Sequence, residues 1–441
     1  MSDQLSAEEI IQLSKQYTLY DWAAQAAVSP IPVARAEGVY FYEPGGKRYL
    51  DFNSQLMSVN IGHGDPRVNE AVTRQLSQLA YVNSAITATE PRALLGRKLA
   101  SVFPGDIEKS FFTLGGAEAN ENAIRIAKLV TGRQKVLARY RSYHGATAGA
   151  ITLTGDPRRW ANEPGLPGVV HVLDFYHGTQ RLMDSAADAL AVLRETIELE
   201  GPKTIAAFII EPVTGTNGIL VPPDGYLQGV RELCDEYGIL MIADEVMSGF
   251  GRTGAWFAVD HYGVVPDIIT CAKGLTSSYL PLGAVGLRPH VAAHFDDHVF
   301  VGGLTYNSHP VCLAAALATI EVMEQDKIVE NAAKMGSAMA RHHQELAAKH
   351  PSVGAVRNIG LFGVLEIVRN RQTGEPMAPF NGSSPEMQAL LRHVLDNGVY
   401  TILHWNQVMT NPPLTITEDQ LAEGFAVLDK ALDITDQAVT S

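Results

Sequence analysis

The middle of the chain, from about residue 61 to residue 305, alternates short apolar runs with longer amphipathic stretches. The apolar runs have the length of strands, and the amphipathic stretches have the spacing of helices. This alternation is typical of a parallel sheet that helices cover on both faces. We therefore predict an α/β fold with a large, mainly parallel sheet. The clearest predicted strands lie in KSFFT (109–113), KVLARY (135–140), TIAAFIIEPV (204–213), GILMIADEV (238–246) and DIITCAK (267–273).

The two ends of the chain show other patterns. An opening helix precedes two strand-like runs that flank the turn EPGGK, which predicts a hairpin. The C-terminal part predicts a long helix over 311–346, strands in GAVRNIGLFGVLEIV (354–368) and VYTILHW (399–405), and a closing helix near 418–432. We expect residues 1–60 to pack with a smaller α+β domain over 311–441, which leaves 61–310 as the large domain.

The composition argues against nucleic acid and anionic membranes as binding partners. The formal net charge is -14, so the chain lacks the basic surplus that binding to nucleic acid or to an anionic membrane requires. The most apolar long stretch, 311–322, is too short to span a bilayer. The N-terminus lacks the features of a secretory signal, and three scattered cysteines without a CxxC pair fit a reducing compartment. We expect a cytoplasmic protein.

Distinctive polar residues follow the predicted strands at their carboxyl ends. Glu211, Asp244 and Lys273 each end an apolar run, and Tyr143 and His144 follow another. In an open parallel sheet, ligands bind in the crevice outside the carboxyl ends of the strands. The sequence therefore predicts that these side chains share one crevice.

A glycine-containing turn follows the first predicted strand. In LGGAEANENAIRIAK, the backbone amides of Gly115, Gly116 and Ala117 open a helix, and a helix N-terminus favours an anion such as phosphate. A Gly-Gly pair at a helix start is by itself weak evidence. The sequence Gly46-Lys47-Arg48 is not a Walker A loop, because Arg48 stands where Ser or Thr is required.

Together these residues meet the requirements of pyridoxal phosphate (PLP). The cofactor needs an amine for an imine, an anion site for its phosphate, a carboxylate for its pyridine nitrogen and a flat group against its ring. We predict that Lys273 supplies the amine and the turn at 115–117 the anion site. Asp244 would pair with the ring nitrogen, and Tyr143 would stack on the ring.

Motifs in the same order along the chain resemble the class III aminotransferases, a family with the fold type I of PLP-dependent transferases. They are TLGGAEANENAIRIAK, RYRSYHG, ADEVMSGFGRTG, DIITCAKG, GLTYNSHP and NPPLTIT. The resemblance covers essentially the whole chain and adds His144 and Glu211 to the cofactor site. It implies that Val246 packs on the ring face opposite Tyr143. It also implies a homodimer in which Thr305 reaches the phosphate of the neighbouring subunit; whether dimers pair into tetramers stays open.

The expected reaction moves an amino group from a terminal amine or ω-amino acid to a keto acid by a ping-pong mechanism. The DFNSQLMSVNIGHG run resembles aminotransferases for taurine and related ω-amino acids. Taurine, β-alanine, 4-aminobutyrate or a similar amine is the expected donor, and the choice among them stays open. The resemblance places four residues of the N-terminal segments at the substrate: Leu19, Tyr20, Met57 and Tyr81.

The sequence does not decide which keto acid accepts the amino group, because the arginine that the family has before the NPPL motif is replaced here. The resembling family has an arginine that grips the carboxylate of a keto acid, and Glu211 matches its partner. Here the stretch reads His404-Trp405-Asn406. A histidine lacks the two-pronged geometry of a guanidinium, and its charge depends on pH. Pyruvate is therefore as plausible an acceptor as 2-oxoglutarate.

Other functions use some of the same features. A PLP-dependent aminomutase or decarboxylase would need the same lysine, aspartate and phosphate turn. A nucleotide-binding oxidoreductase would explain the parallel sheet, but Lys273 would have no role. A non-catalytic binding protein would not need Lys273 either. The cluster His294, Asp296, Asp297 and His298 lacks metal-ligand spacing, so we expect no metal site.

Overall fold

The computed structural model describes residues 5–173, 175 and 185–440. Its N-terminal part begins with a helix that Ser6 and Glu9 cap reciprocally, and the predicted hairpin follows as an antiparallel pair. The helices and strands of this part are Ala7–Tyr17 (α1), Arg35–Glu37 (β1), Tyr40–Tyr42 (β2), Arg48–Asp51 (β3), Ser54–Met57 (α2), Pro66–Gln78 (α3) and Glu90–Val102 (α4).

The central part forms a seven-stranded sheet at the predicted apolar runs. Its elements are Lys109–Thr113 (β4), Gly116–Thr131 (α5), Lys135–Arg139 (β5), Ala148–Leu153 (α6), Val169–Val172 (β6), Ala186–Glu200 (α7), Ile205–Ile210 (β7), Tyr226–Tyr237 (α8), Leu240–Asp244 (β8), Ile268–Cys271 (β9), Gly283–Leu287 (β10) and Pro289–Ala292 (α9). The strand order is β4-β10-β9-β8-β7-β5-β6. Within this sheet β10 runs antiparallel to both of its neighbours, β4 and β9, and the other described pairs of strands are parallel. All six residues of β7 are buried, as expected for a strand covered on both faces.

The parallel strands bring the predicted polar residues to one edge of the sheet. Strands β5, β7, β8 and β9 run in the same direction in neighbouring positions. Residues that follow these strands therefore meet at a common edge. The register of β8 and β9 pairs Asp244 with Thr270, three residues before Lys273.

The C-terminal part consists of helices, a five-stranded sheet and one further strand, β14 (Val399–Tyr400), which belongs to the four-stranded sheet of the N-terminal part. Its elements are Pro310–Gln325 (α10), Ile328–Lys349 (α11), Val353–Ile359 (β11), Phe362–Asn370 (β12), Glu375–Pro376 (β13), Pro385–Asp396 (α12), Val399–Tyr400 (β14), Leu403–His404 (β15), Gln407–Thr410 (β16) and Glu418–Asp436 (α13). The prediction of one helix over 311–346 is wrong, because two helices meet there. Lys327 adopts a left-handed conformation (φ 52°), and the preceding Asp326 forms an ion pair with Arg67 of α3.

The N-terminal segment contacts the C-terminal part directly. Strand β14 pairs in parallel with β3, Val399 opposite Leu50. The Nδ2 of Asn411 also donates to the Oδ1 of Asn53 at 3.2 Å. The domain boundaries at residues 60 and 310 stay a prediction. No described helix combines the length and the apolar character that a membrane crossing would need.

Candidate active site

A cavity of about 680 Å³ opens at the carboxyl edge of the large sheet. The residues that follow β5, β7, β8 and β9 lie together in its wall, as the crevice argument predicted. The structure thus brings together every residue predicted to bind the cofactor except Thr305. The predicted residues in the wall are Gly115, Gly116, Ala117, Tyr143, His144, Glu211, Asp244, Val246 and Lys273.

Asp244 is held by three donors and is almost fully buried, with 3% of its surface exposed. Its Oδ2 lies 2.7 Å from the Nδ1 of His144 and 2.7 Å from the Nδ2 of Asn120. Its Oδ1 accepts the backbone N–H of Val246 at 3.1 Å. Since a carboxylate oxygen only accepts, the proton of this contact sits on Nδ1 of His144. These donors compensate the cost of burying the carboxylate.

Lys273 sits in a strained turn just beyond β9. Its backbone is left-handed (φ 41°), which is uncommon for a residue with a side chain. Within the described part of the chain its amine has no hydrogen-bond partner, so it remains available to a ligand. Burial lowers the pKa of Lys273 to about 8, although the nearby carboxylates of Asp244 and Glu211 act in the opposite direction. A neutral, nucleophilic amine is therefore accessible near physiological pH.

The glycine turn at the start of α5 leaves backbone amides facing the cavity. Gly115 is the N-cap residue and provides no side-chain hydrogen bond to the helix. A Cβ atom on Gly116 would lie 2.7 Å from the Cγ1 of Val246, so this close approach requires glycine. The first amides of a 16-residue helix thus remain available for an anion.

Glu211 fixes the backbone around Tyr143. Its Oε1 accepts the N–H of Tyr143 at 3.0 Å, and its Oε2 accepts the N–H of Gly215 at 2.7 Å. Burial raises the pKa of Glu211. The carboxylate therefore serves at least to hold the Tyr143 loop in place.

Sequence reasoning missed two neighbours of Tyr143. The guanidinium carbon of Arg158 lies 3.7 Å from the centre of the Tyr143 ring, and Trp22 meets the same ring edge-on at 6.3 Å. The Nη2 of Arg158 donates to Thr216 in the cavity wall at 2.7 Å, and Asp156 pairs with its Nε. A charged residue in the loop sequence DPRRW gives no signal of such a position.

The predicted substrate residues are only partly near the cavity. Met57 is buried at 1% exposure in a core with Val213 and Met409, and the wall residue is its neighbour Leu56. Left-handed backbone at Gln55 and Met57 turns the chain here and directs Leu56, rather than Met57, toward the cavity. A contact between Met57 and the substrate stays a prediction.

Three further predicted positions lie outside this wall. Leu19 is 86% exposed, and Tyr20 is half-buried beside the same segment. Tyr81 donates its hydroxyl to the carbonyl of Thr305 at 2.6 Å. Tyr81 and Thr305 line a second cavity of about 660 Å³, which Lys273 does not line. Within one chain, therefore, Thr305 does not join the predicted cofactor residues.

His404 and Trp405 form an aromatic pair with ring centres 4.1 Å apart. Neither residue lines the Lys273 cavity. Burial, together with the charges of Arg158 and Arg141, lowers the pKa of His404 to about 4. The side chain is thus neutral at physiological pH rather than a pH-dependent cation. Its Nε2 is buried without a hydrogen-bond partner in the described residues.

Comparisons with known proteins agree with these features. The family model for class-III aminotransferases matches residues 22–432. Putrescine–pyruvate aminotransferase of Pseudomonas aeruginosa is 35% identical, over 92% of this chain and 91% of its own. Taurine–pyruvate aminotransferase of Bilophila wadsworthia is 34% identical, over 97% and 98%. The structure of taurine:2-oxoglutarate aminotransferase from Bifidobacterium kashiwanohense, with PLP and glutamate, has a TM-score of 0.95 at 39% identity and covers 99% of this chain and 100% of that one.

The described residues fit PLP. The unpartnered amine of Lys273, the uncapped amides at Gly116 and the buried carboxylate of Asp244 offer an amine, an anion site and a partner for a protonated ring nitrogen in one cavity. The fold and family predicted from the motifs are confirmed, and the oxidoreductase and binding-protein alternatives are excluded. Because the family model matches nearly the whole chain and the cavity offers the groups that this cofactor needs, the chain belongs to the class-III aminotransferases, the PLP-dependent transaminases of fold type I.

Proposed function

We propose that this aminotransferase takes its amino group from an ω-amino acid with an acidic distal group, such as taurine, β-alanine or 4-aminobutyrate, and passes it to pyruvate. One observation carries the choice of donor. Arg158 places a guanidinium against the Tyr143 ring and Thr216, both of which line the cavity of Lys273. A fixed cation in contact with the wall of this cavity suits a donor that has an anion at the end opposite its reacting amine.

Arg158 is well held for this role. Its Nε and Nη2 donate to Asp156, and Nη2 also donates to Thr216. Its Nη1 donates to no acceptor among the described residues. Arginine binds carboxylates and related oxyanions with directed, charge-assisted hydrogen bonds. Nη1 therefore remains for a carboxylate or sulfonate oxygen of the substrate.

The relatives support a donor with a terminal amino group, but their donors differ in the group at the other end. Two similar proteins are named for taurine, which carries a sulfonate, and one for putrescine, which carries a second ammonium group. A second ammonium group would be repelled by Arg158, whereas a sulfonate would be attracted. This charge difference favours the taurine type of donor over the diamine type.

The choice of pyruvate follows from His404. Because its imidazole is neutral, it adds no positive charge for a second carboxylate. 2-Oxoglutarate carries one more carboxylate than pyruvate, and a neutral His404 would not compensate the cost of burying it. Two of the named relatives use pyruvate, and one uses 2-oxoglutarate.

In the reaction we propose, bound PLP supplies an aldehyde that condenses with amines and a pyridine ring that accepts electrons. Lys273 would hold the cofactor until the donor arrives, and its Nζ would then carry the proton that leaves the donor carbon. Its lowered pKa keeps a useful fraction of this amine neutral near pH 8. Asp244 would hold the proton on the ring nitrogen.

The remaining wall residues would bind and orient the cofactor. The amides at Gly115, Gly116 and Ala117 would bind its phosphate, helped by the dipole of α5. Tyr143 and Val246 would enclose its ring, and His144 would hold Asp244 through Nδ1.

We also propose that the enzyme acts as a homodimer in which Thr305 completes the cofactor site of the partner. In its own chain Thr305 lies in a different cavity from Lys273. Large apolar side chains stand exposed near it in sequence, at Val299 (82%), Val301 (68%) and Tyr306 (55%). Exposed apolar groups of this size favour a protein interface.

Replacing Arg158 by glutamine tests the donor class. In the native enzyme we expect taurine and β-alanine to exceed putrescine in kcat/KM with pyruvate as acceptor. In Arg158→Gln, kcat/KM for both acidic donors should fall about 10- to 100-fold, which is the usual value of one charge-assisted hydrogen bond. The value for 1-phenylethylamine, which has no distal charge, should change less than about threefold.

The neighbouring Arg159 provides a matched control. Its guanidinium pairs with Glu163, and its side chain lines a separate small cavity. Arg159→Gln should leave the ranking of donors unchanged. A native preference for putrescine, or an equal loss for all donors in Arg158→Gln, would contradict the proposed donor class.

Replacing His404 by arginine tests the acceptor. The variant restores a cation where the resembling family has one, so activity with 2-oxoglutarate relative to pyruvate should rise about tenfold. The ratio of kcat/KM for the two acceptors, measured with one donor, is the readout. His404→Gln adds no charge and should leave the ratio within about twofold. An unchanged ratio in His404→Arg would show that this position does not select the acceptor.

A further inference from the structure

Asn120, on helix α5, connects three parts of the site through one buried amide. It is 1% exposed, and it belongs to the cavity wall. Its Nδ2 donates to the carbonyl oxygen of His144 at 2.7 Å and to the Oδ2 of Asp244 at 2.7 Å. Its Oδ1 accepts the hydroxyl of Thr270 at 2.7 Å.

The chemistry of these partners permits one orientation of the amide. A carbonyl and a carboxylate can only accept, so the NH₂ group must face His144 and Asp244. A reversed amide would point its oxygen at two acceptors. Thr270 then donates to Oδ1 and secures this orientation from the other side. Thr270 is fully buried on β9 and does not line the cavity.

We propose that Asn120 and Thr270 are positioning residues for Asp244. The hydroxyl of Thr270 donates to Asn120 and fixes the orientation of its amide. This amide and His144 then donate to the Oδ2 of Asp244 and hold the carboxylate in place. Oδ2 then has two donors from the protein, whereas Oδ1 has only the N–H of Val246 among the described residues. Oδ1 therefore keeps the capacity to accept a hydrogen bond from a group in the cavity. The inference rests on the proposed role of Asp244.

Thr270→Val separates this role from simple packing. Valine keeps the shape of threonine but lacks the hydroxyl, so the amide of Asn120 loses the hydrogen bond that fixes its orientation. We expect kcat to fall about tenfold while the cofactor stays bound. The pH midpoint of the visible band of the bound cofactor should shift in the direction seen in Asp244→Asn. Thr270→Ser retains the hydroxyl and should restore kcat and midpoint to within about twofold of the native values.

Asn120→Asp provides a second test that does not depend on the folding of Thr270→Val. Aspartate keeps the shape and the acceptor for Thr270, but it places a second carboxylate oxygen where Asp244 now accepts a hydrogen bond. Two carboxylates at this distance cannot both remain charged without a large cost. The midpoint should therefore shift, and kcat should fall about 100-fold.

Three outcomes are distinguishable when Asp244→Asn is measured in parallel and all variants are checked for thermal stability. Shifted midpoints in Thr270→Val and Asn120→Asp, with recovery in Thr270→Ser, support the inference. A shifted midpoint in Asp244→Asn alone overturns it and leaves the role of Asp244 intact. An unchanged midpoint in Asp244→Asn overturns the role of Asp244, and the inference with it.

Discussion

Lys273→Ala is expected to abolish transamination, with a loss of at least about 10⁴-fold in kcat. The variant lacks both the amine that would hold the cofactor and the base that would move the proton at the donor carbon. No other lysine amine belongs to the described wall of the cavity, so no neighbour can replace it. Steady-state rates with an acidic donor and pyruvate measure the loss. Borohydride should fix the cofactor to the native chain, and peptide mass spectrometry should locate it on Lys273.

Lys203→Ala is a matched control for this variant. Lys203 is exposed and lies just before β7, away from the cavity wall. Its replacement should leave the rate and the borohydride label unchanged. A normal rate in Lys273→Ala, or a label on another lysine of the native chain, would refute the proposed role of Lys273.

The sequence predicted the sheet and the cavity well, for a physical reason. Strands covered on both faces must be continuously apolar, so β7 and β8 are visible as runs without any alignment. Glu211 and Asp244 each stand at the end of such a run, so each is predicted to lie at the edge of the sheet where ligands bind. Parallel pairing then brings together residues that are far apart in the chain, as the cavity wall shows.

Other features depended on backbone conformations that no periodicity reveals. The helix break at Lys327 follows from a left-handed conformation at a residue that is not glycine. The same holds for the segment in which Leu56, and not Met57, lines the cavity. The pattern of apolar positions also does not predict where the side chains of a polar loop will lie. Arg158 therefore escaped prediction, since its place against Tyr143 depends on the fold of its loop and on Asp156.

Thr305 marks a third kind of limit. The resemblance predicted that it serves the neighbouring subunit, and within one chain it lies in a separate cavity with Tyr81. A residue that acts across an interface is positioned by the partner, so neither the pattern nor the fold of one chain determines its contacts. Its role stays a prediction that the oligomeric state and a Thr305→Ala variant can address together.

Asp244→Asn is expected to retain cofactor but to lose about 100- to 1000-fold in kcat. The amide oxygen can take the place of Oδ2 and accept from His144 and Asn120. Its NH₂ group must then occupy the place of Oδ1, facing the N–H of Val246, which now donates there at 3.1 Å. A neutral donor thus replaces a charged acceptor toward the cavity, and the proton on the ring nitrogen loses its counter-ion.

The measurement compares kcat, cofactor content and the visible spectrum of Asp244→Asn with those of Asp260→Asn. Asp260 is a structural aspartate, since it accepts the N–H of Phe257 at 2.9 Å and lies outside the cavity wall. Its replacement removes the same charge and should affect thermal stability more than kcat. Asp244→Glu restores the charge, but its extra methylene displaces the carboxylate from His144 and Asn120, so it should recover only part of the rate. Unchanged turnover in Asp244→Asn would mean that the ring nitrogen needs no carboxylate partner and that the buried donors around Asp244 serve only the fold.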